Sequence, residues 1–440
     1  MRRDGATRRV GDRRGAGRAH RRRRHYSRAE RLLLTGTAIA SCLVLALSGS
    51  ASELFGQLNG NITTESMAEY GAKLPPPSKA GVLNILALGS QTRDGQGPGF
   101  GFDPGTDLSD TAMLIHINAE HTKAIVLSIP RDLLVYRPPC RERVGGDAIV
   151  PGEQDAMFDS AMNLGGAACT VATVQDMSGI RIDHFIRIDF NGFRTMTDVL
   201  GGVEVCVPRP GIHDWRSHLD ISPGLHLISG DEALAFVRDR HGIGNGGDLG
   251  RIEMQQMFVS SLIKKVMSEG TLTDPVTLYQ IAEVATRSLT TDPGLGSVQS
   301  LISVAETLRD LTLKNITFVT LPNQLDPANI DRLLPMQPET NEIWALLRAD
   351  LSWTGQLASA PQPTAHKDVK HAMHRKKGKK GKKRAGTQAA TAQGAGLASE
   401  GIPAAGTAAQ APAQPVQTRN ASQSLCSGLP TPNNLGAESG

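Results

Sequence analysis

Residues 32–51, LLLTGTAIASCLVLALSGSA, contain no charged side chain. At about 1.5 Å of helical rise per residue, such a stretch just crosses the roughly 30 Å hydrocarbon core of a bilayer. Arg28, Glu30 and Arg31 precede it, at the end of an Arg-rich segment over residues 1–31. Beyond it the first charges are Glu53 and Glu65, and Lys73 comes late. Clustered Lys and Arg near a span mark its cytoplasmic side. The expected layout is therefore a cytoplasmic tail (1–31), a single-pass membrane helix (32–51) and a main domain outside the cell membrane. A cleaved secretory signal ending in the small residues Ser48–Ser52, and a buried core helix, are the competing readings of the same segment.

Of the 440 residues, 39% are hydrophobic, and they are concentrated between Ala80 and Trp353. One folded unit over 81–355 is expected, at the upper end of single-domain size. Residues 52–80, with Pro75, Pro76 and Pro77, read as a stem outside the membrane. Residues 356–440, rich in Ala, Gly, Pro and Lys, hold too few apolar side chains to offset ordering entropy and are expected to be disordered. The net charge of +4 hides two basic runs, one in 1–31 and one from Arg375 to Arg384. Beside a membrane segment such runs orient the chain or touch anionic lipid. There is no helix-turn-helix pattern with a basic recognition helix, so no nucleic-acid partner is expected.

Four cysteines fall outside the charge-free segment that holds Cys42: Cys140, Cys169, Cys206 and Cys426. In an oxidising compartment they allow three pairings. Cys140 and Cys169 are close in sequence, around a loop and a helix, and are paired first. Cys206, in the apolar run VEVCVP, reads equally well as a buried thiol.

Short apolar runs bounded by Gly or Pro predict strands at 82–88, 111–117, 124–129, 183–189, 203–207 and 315–321. Asn118–Thr122 reads as a hairpin connection. Helices are expected at 155–179, 191–200, 249–268, 274–288, 294–308 and 339–349. Ser229-Gly230-Asp231-Glu232 reads as a capping box opening a short helix that carries Arg238 and Arg240. Alternating strands and helices place the fold in the α/β or α+β class, with a sheet covered by helices.

Three segments concentrate Arg and Asp at strand ends and helix starts: the Gly-rich loop Gly89–Asp110, the SIPRD strand end, and FVRDRHGIGNGGDLGRIEMQQ from Phe236 to Gln256. Arginine forks match phosphate geometry, and a carboxylate among them suits a metal ligand or a base. Any one of these residues alone reads as a surface ion pair.

In order along the chain, NILALGSQTR, LSDTAMLIHI, LSIPRD, FDSAMNLGG and FVRDRH…DLGR resemble the motifs of the LytR-CpsA-Psr family. The match runs from Val82 to Val266 and weakens toward Trp353. It implies a central mixed β-sheet flanked by helices on both sides and a hydrophobic pocket for a polyprenyl chain. The implied activity is a phosphotransferase that moves polyprenyl-pyrophosphate-linked glycopolymers onto peptidoglycan, so the implied partners are that lipid-linked polymer, peptidoglycan and membrane lipid. Carried over, Asp110 corresponds to a Mg²⁺ ligand, Arg131, Arg238, Arg240 and Arg251 to pyrophosphate contacts, Asp248 to the base, and Gln255 to a glutamine following the Asp-x-x-Arg pair. Three positions depart from the pattern. Gln91 stands where the second acidic metal ligand is usual, Leu108 where an Arg precedes SDT, and Met254 where an Arg precedes the Gln pair. A neutral amide is a poorer Mg²⁺ ligand than a carboxylate, which puts the cation in question: the readings are weaker binding, recruitment of Asp94 or Asp107, or reliance on the substrate's own phosphates. His241 reads as a bystander, and Trp215, His213 and His218 are assigned no role. A non-catalytic binder of lipid pyrophosphate or glycan is the second reading; a transcriptional regulator of the LytR type is the third.

Overall fold

Five of the six apolar runs expected as strands become neighbours in one mixed sheet of the computed structural model, and the sixth, Val203–Val207, pairs with Gly224–Ile228 in a separate two-stranded sheet. The structure describes residues 53–67, 74–91, 107–143, 148–214, 217, 219–240, 248–267, 275–351 and 418–423. The expected cytoplasmic tail, the membrane helix and the loop 92–106 lie outside the described residues. Met1–Gln57 and Leu58–Gly440 are separate units, and the fold that follows is the second.

Among the described residues the main sheet has eight strands: β1 (Thr63–Thr64), β2 (Leu83–Ser90), β3 (Ser109–Ile117), β4 (Ala124–Ser128), β5 (His184–Ile188), β6 (Leu289–Thr291), β7 (Ile316–Thr320) and β8 (Thr418–Asn420). Their order is β1-β6-β5-β2-β3-β4-β7-β8. The centre is an antiparallel meander, β2 to β3 to β4, flanked by parallel pairings of β5 on β2 and β7 on β4. The meander's second turn is the expected hairpin, fastened by Asn118, whose Oδ1 accepts from the backbone N–H groups of Thr122 (2.9 Å) and Lys123 (2.8 Å).

Central strands covered on both faces read as continuous apolar runs, and those of β2 to β4 do. Leu86, Leu88, Leu114 and Leu127 pack on one face beneath Val171 and Val174 of helix α1 (Ser160–Ser178) and Trp344 of a helix at Glu339–Arg348. Ile85, Met113 and Val126 face the other way, with Val259 and Ile263 packed against them. On that second side run α2 (Phe190–Val199), α3 (Gly230–Arg238), α4 (Asp248–Val266) and α5 (Pro275–Ser288). The sheet is therefore mixed and flanked by helices on both sides, as expected. Cys140 and Cys169 form a disulfide with both side chains fully buried.

Several sequence expectations needed correction. The helix expected from 155 begins at Ser160, because Glu153–Met157 pairs as a strand with Leu134–Arg137. Part of the presumed stem belongs to the fold. Leu58 is buried, Thr63–Thr64 pairs with β6, and Asn59 Oδ1 accepts from the Val298 N–H at 2.8 Å. The tail expected to be disordered contributes β8, and Ala421 just beyond it is buried; the rest of 356–440 lies outside the described residues. The capping box at Ser229 is not formed. Gly230 adopts φ 53°, its N–H donates to Thr197 Oγ1 at 2.9 Å, and Ser229 makes no side-chain cap bond. At the other end the helix stops at Arg238 with Asp239 as its extended C-cap, so Arg240 follows the helix instead of riding on it.

Candidate active site

Between the second sheet face and α2, α3 and α4 lies a cavity of about 280 Å³. Met113 and Ile186 form its floor; Phe193, Leu234, Val259 and Leu262 form its walls. The same lining also holds Ser90, Asp110, Arg238, Arg251 and Gln255, where the C-terminal end of β2 meets the start of β3. An apolar volume thus adjoins a charged cluster, and the motifs singled out from sequence supply that cluster.

Asp110 is its centre. Its Oδ1 accepts from Arg131 Nη1 at 2.9 Å, from Gln91 Nε2 at 3.2 Å and from Arg251 Nη1 at 3.3 Å, and Arg240 Nη2 stands 3.8 Å away. The local structure explains the convergence. Arg131 follows Pro130, which cannot extend the sheet ladder, so β4 stops and the guanidinium crosses to the neighbouring strand. Arg251 lies in the first turn of α4, one turn after Asp248, and is 2% exposed against 39% for Arg240. Arg238 ends α3 and stacks its guanidinium 4.7 Å from the centre of the Phe190 ring, a cation–π contact that fixes its plane. Gln255 Nε2 donates to the Val237 carbonyl at 3.2 Å, tying α4 to the last turn of α3. Asp248 is the first residue of α4; its side chain lies outside the described residues, as do Asp94 and His241.

The LytR_cpsA_psr family model matches residues 46–349. The chain belongs to that family. Corynebacterium glutamicum LcpA, named a cell wall biosynthesis protein, is 30% identical over 311 residues, covering 65% of this chain and 58% of LcpA. TagU of Bacillus anthracis, named a polyisoprenyl-teichoic acid–peptidoglycan teichoic acid transferase, is 30% identical over 242 residues, covering 55% of this chain and 70% of TagU. A LytR-Csp2A-Psr enzyme from Actinomyces oris superposes with a TM-score of 0.49 at 22% identity, over 65% of this chain and 96% of that one. The chain spans only about half the length of the first corynebacterial relatives, 58% of LcpA and 48% of LcpB.

Magnesium, implied by the LytR_cpsA_psr resemblance, needs oxygen ligands at about 2.1 Å in near-octahedral array. Gln91 presents its amide N–H to Asp110, since the flipped amide would set its oxygen against a carboxylate. Asp107 is 1% exposed and committed elsewhere: Ser90 Oγ donates to it and Arg187 Nη1 pairs with it at 3.1 Å. Among the described residues no group of three acidic, His or Cys side chains could hold a metal ion. Among the described residues the donor set does not fit a cation resident before substrate arrives.

Sequence reading gave no role to Asp159, within FDSAMNLGG. Its backbone N–H donates to the Arg131 carbonyl at 3.1 Å, and its carboxylate is 3% exposed, with no hydrogen-bond partner for Oδ1 among the described residues. Burial pushes its pKa up to about 6, against the pull of Arg131 and reinforced by Asp132 and Asp110. Nothing in the residue type announces this. In the structure Asp159 takes the N-cap position of α1 without a side-chain cap bond.

Proposed function

We propose that this chain is a membrane-anchored phosphotransferase that attaches glycopolymers carried on polyprenyl diphosphate to a peptidoglycan hydroxyl. The observation that carries the reading is the junction of cavity and cluster. An apolar volume suits an isoprenoid chain, and Arg238, Arg251, Arg131 and Arg240 stand where a diphosphate attached to that chain would emerge. Guanidinium groups match phosphate oxygens in pairs. Family membership and the name of the relative TagU, a polyisoprenyl-teichoic acid–peptidoglycan teichoic acid transferase, support the same substrate class. The charge-free segment Leu32–Ala51 supports anchoring, with the domain outside and a membrane-borne substrate within reach.

In the reaction, the acceptor hydroxyl oxygen attacks the phosphorus that carries the glycopolymer. A P–O bond forms to the acceptor, the bridging P–O bond breaks, and polyprenyl phosphate leaves with the electron pair. The hydroxyl proton passes to a base, for which Asp248 is the candidate. The arginines meet the charge that builds on the bridging oxygen, the kind of fixed electrostatic stabilisation that dominates phosphoryl transfer. With water as acceptor the same chemistry releases inorganic phosphate from an unsubstituted polyprenyl diphosphate.

The test is that release, measured with the full chain in detergent. Turnover that Arg238→Ala and Asp110→Ala both abolish supports the reading. Tight binding of the diphosphate with no turnover under any condition refutes the enzyme assignment and favours a lipid-binding role.

A further inference from the structure

Gln91 changes what the diphosphate site is made of. In the position where a second acidic ligand is expected, this chain places an amide whose N–H bonds to Asp110 Oδ1 at 3.2 Å. That oxygen is also held by Arg131 at 2.9 Å and Arg251 at 3.3 Å. A cation seated on it would lie against two guanidinium groups and a third at 3.8 Å, so it would have to displace hydrogen bonds and approach like charge. The other Asp110 oxygen is one ligand, where a divalent cation needs several. Among the described residues Asp107 is paired with Arg187 and Asp132 Oδ2 with Arg131 Nε at 3.5 Å, and no group of three acidic, His or Cys side chains could hold a metal ion.

Building on the diphosphate reading above, we propose that this site works without a resident divalent cation, Gln91 with Arg131, Arg240 and Arg251 filling the space and supplying the charge that a cation would provide beside Asp110. Asp110 then acts as a positioning residue. It holds three arginines and one amide in a converging array, ready to exchange its own oxygen for phosphate oxygens when the diphosphate binds. Guanidinium groups carry their charge at every physiological pH and need no loading step.

The experiment uses the full chain in detergent. Mn²⁺, a paramagnetic stand-in for Mg²⁺, is titrated into wild type, Gln91→Asp and Asp110→Asn, and farnesyl diphosphate binding is measured in EDTA and in Mg²⁺. The wild type is expected to show no stoichiometric Mn²⁺ site and the same farnesyl diphosphate affinity, within about twofold, in both buffers. Gln91→Asp restores a two-carboxylate set and is expected to bind Mn²⁺ about tenfold more tightly or better. A stoichiometric wild-type Mn²⁺ site that Asp110→Asn removes overturns the inference. So does a loss of farnesyl diphosphate affinity of about tenfold or more in EDTA, and either result leaves the transferase reading standing. No farnesyl diphosphate binding in either buffer overturns that reading, and this inference with it.

Discussion

Asp110 and the arginines around it differ in what they hold up, and burial separates their roles. Arg251 is 2% exposed and Arg240 39%. Arg251→Ala opens a buried ion pair as well as the phosphate site, so it is expected to cost about 2 kcal/mol of stability along with turnover. Arg240→Ala is expected to reduce turnover about 10²-fold, as loss of one transition-state donor does, with an unchanged unfolding midpoint. Denaturant titration beside phosphate release separates the two. Asp159 adds a pH signature. Its folded pKa, about 6, lies above the ordinary carboxylate value. Its contribution to stability is fully present at low pH, where it is protonated in both states, and is lost as pH rises through about 6. Asp159→Asn is therefore expected to raise the unfolding midpoint at pH 7.5 and to flatten the decline between pH 4 and pH 7.5, an effect on the order of 1–3 kcal/mol. A midpoint unchanged by the substitution at both pH values would contradict this. At this scale the sequence was legible where chemistry and position coincided: Asp110, Arg131, Arg240 and Arg251 come together as the motif order implied. Asp159 was not legible, because its altered acidity comes from burial, which its neighbours in space decide.

Elements were read well wherever apolar periodicity set them, and poorly where pairing did. The central strands and the helices α2, α4 and α5 fall within a few residues of expectation, because a run of Val, Ile and Leu or a helical stripe is a local property. The strand pair Val203–Val207 and Gly224–Ile228 was half seen: Leu225 and Leu227 of its second strand are exposed, so no clean alternation marked it. β8 was missed because the Ala/Gly/Pro-rich tail gives no apolar run; its order comes from covering the edge of β7, where Ser260 Oγ donates to the Ala421 carbonyl. A chain ending at Pro415 would leave that edge unpaired and is expected to unfold at a temperature several degrees lower, about 2–4 °C per kcal/mol lost. Cys206 corrects the buried-thiol alternative. It is disulfide-bonded, with a partner outside the described residues. Cys206 shares a surface cleft with Ser422 and Gln423, three residues before Cys426 in sequence. Peptide mapping without reductant is expected to link Cys206 to Cys426, and a free thiol at Cys426 would contradict this. Gly192 sets how closely α2 approaches α5: a Cβ there would lie 2.4 Å from Ser288 Cβ and 3.1 Å from its carbonyl oxygen. Gly192→Ala is expected to cost about 1–3 kcal/mol by forcing the helices apart, measurable in denaturant.

Across the whole molecule, the sheet's two faces divide the labour. One is closed by α1 and the helix at Glu339–Arg348 into dry core. The other, under α2, α3 and α4, keeps a cavity whose charged end lies among the strand-end motifs. The class of fold, the order of the motifs and, through the resemblance, an apolar pocket could be read from the chain. The pocket's walls could not, since they are made by side chains from separate elements that stop short of one another. The proposed function depends on that cavity and on the cluster acting on one substrate. The most direct measurement supplies the full chain, in detergent, with a polyprenyl-diphosphate-linked glycopolymer and peptidoglycan, then digests the wall and analyses it by mass spectrometry. The account predicts a phosphodiester between polymer and peptidoglycan with polyprenyl phosphate released in equal amount, and neither product with Arg238→Ala. Lipid-linked polymer recovered intact, beside a wild-type chain that binds it, would contradict the account.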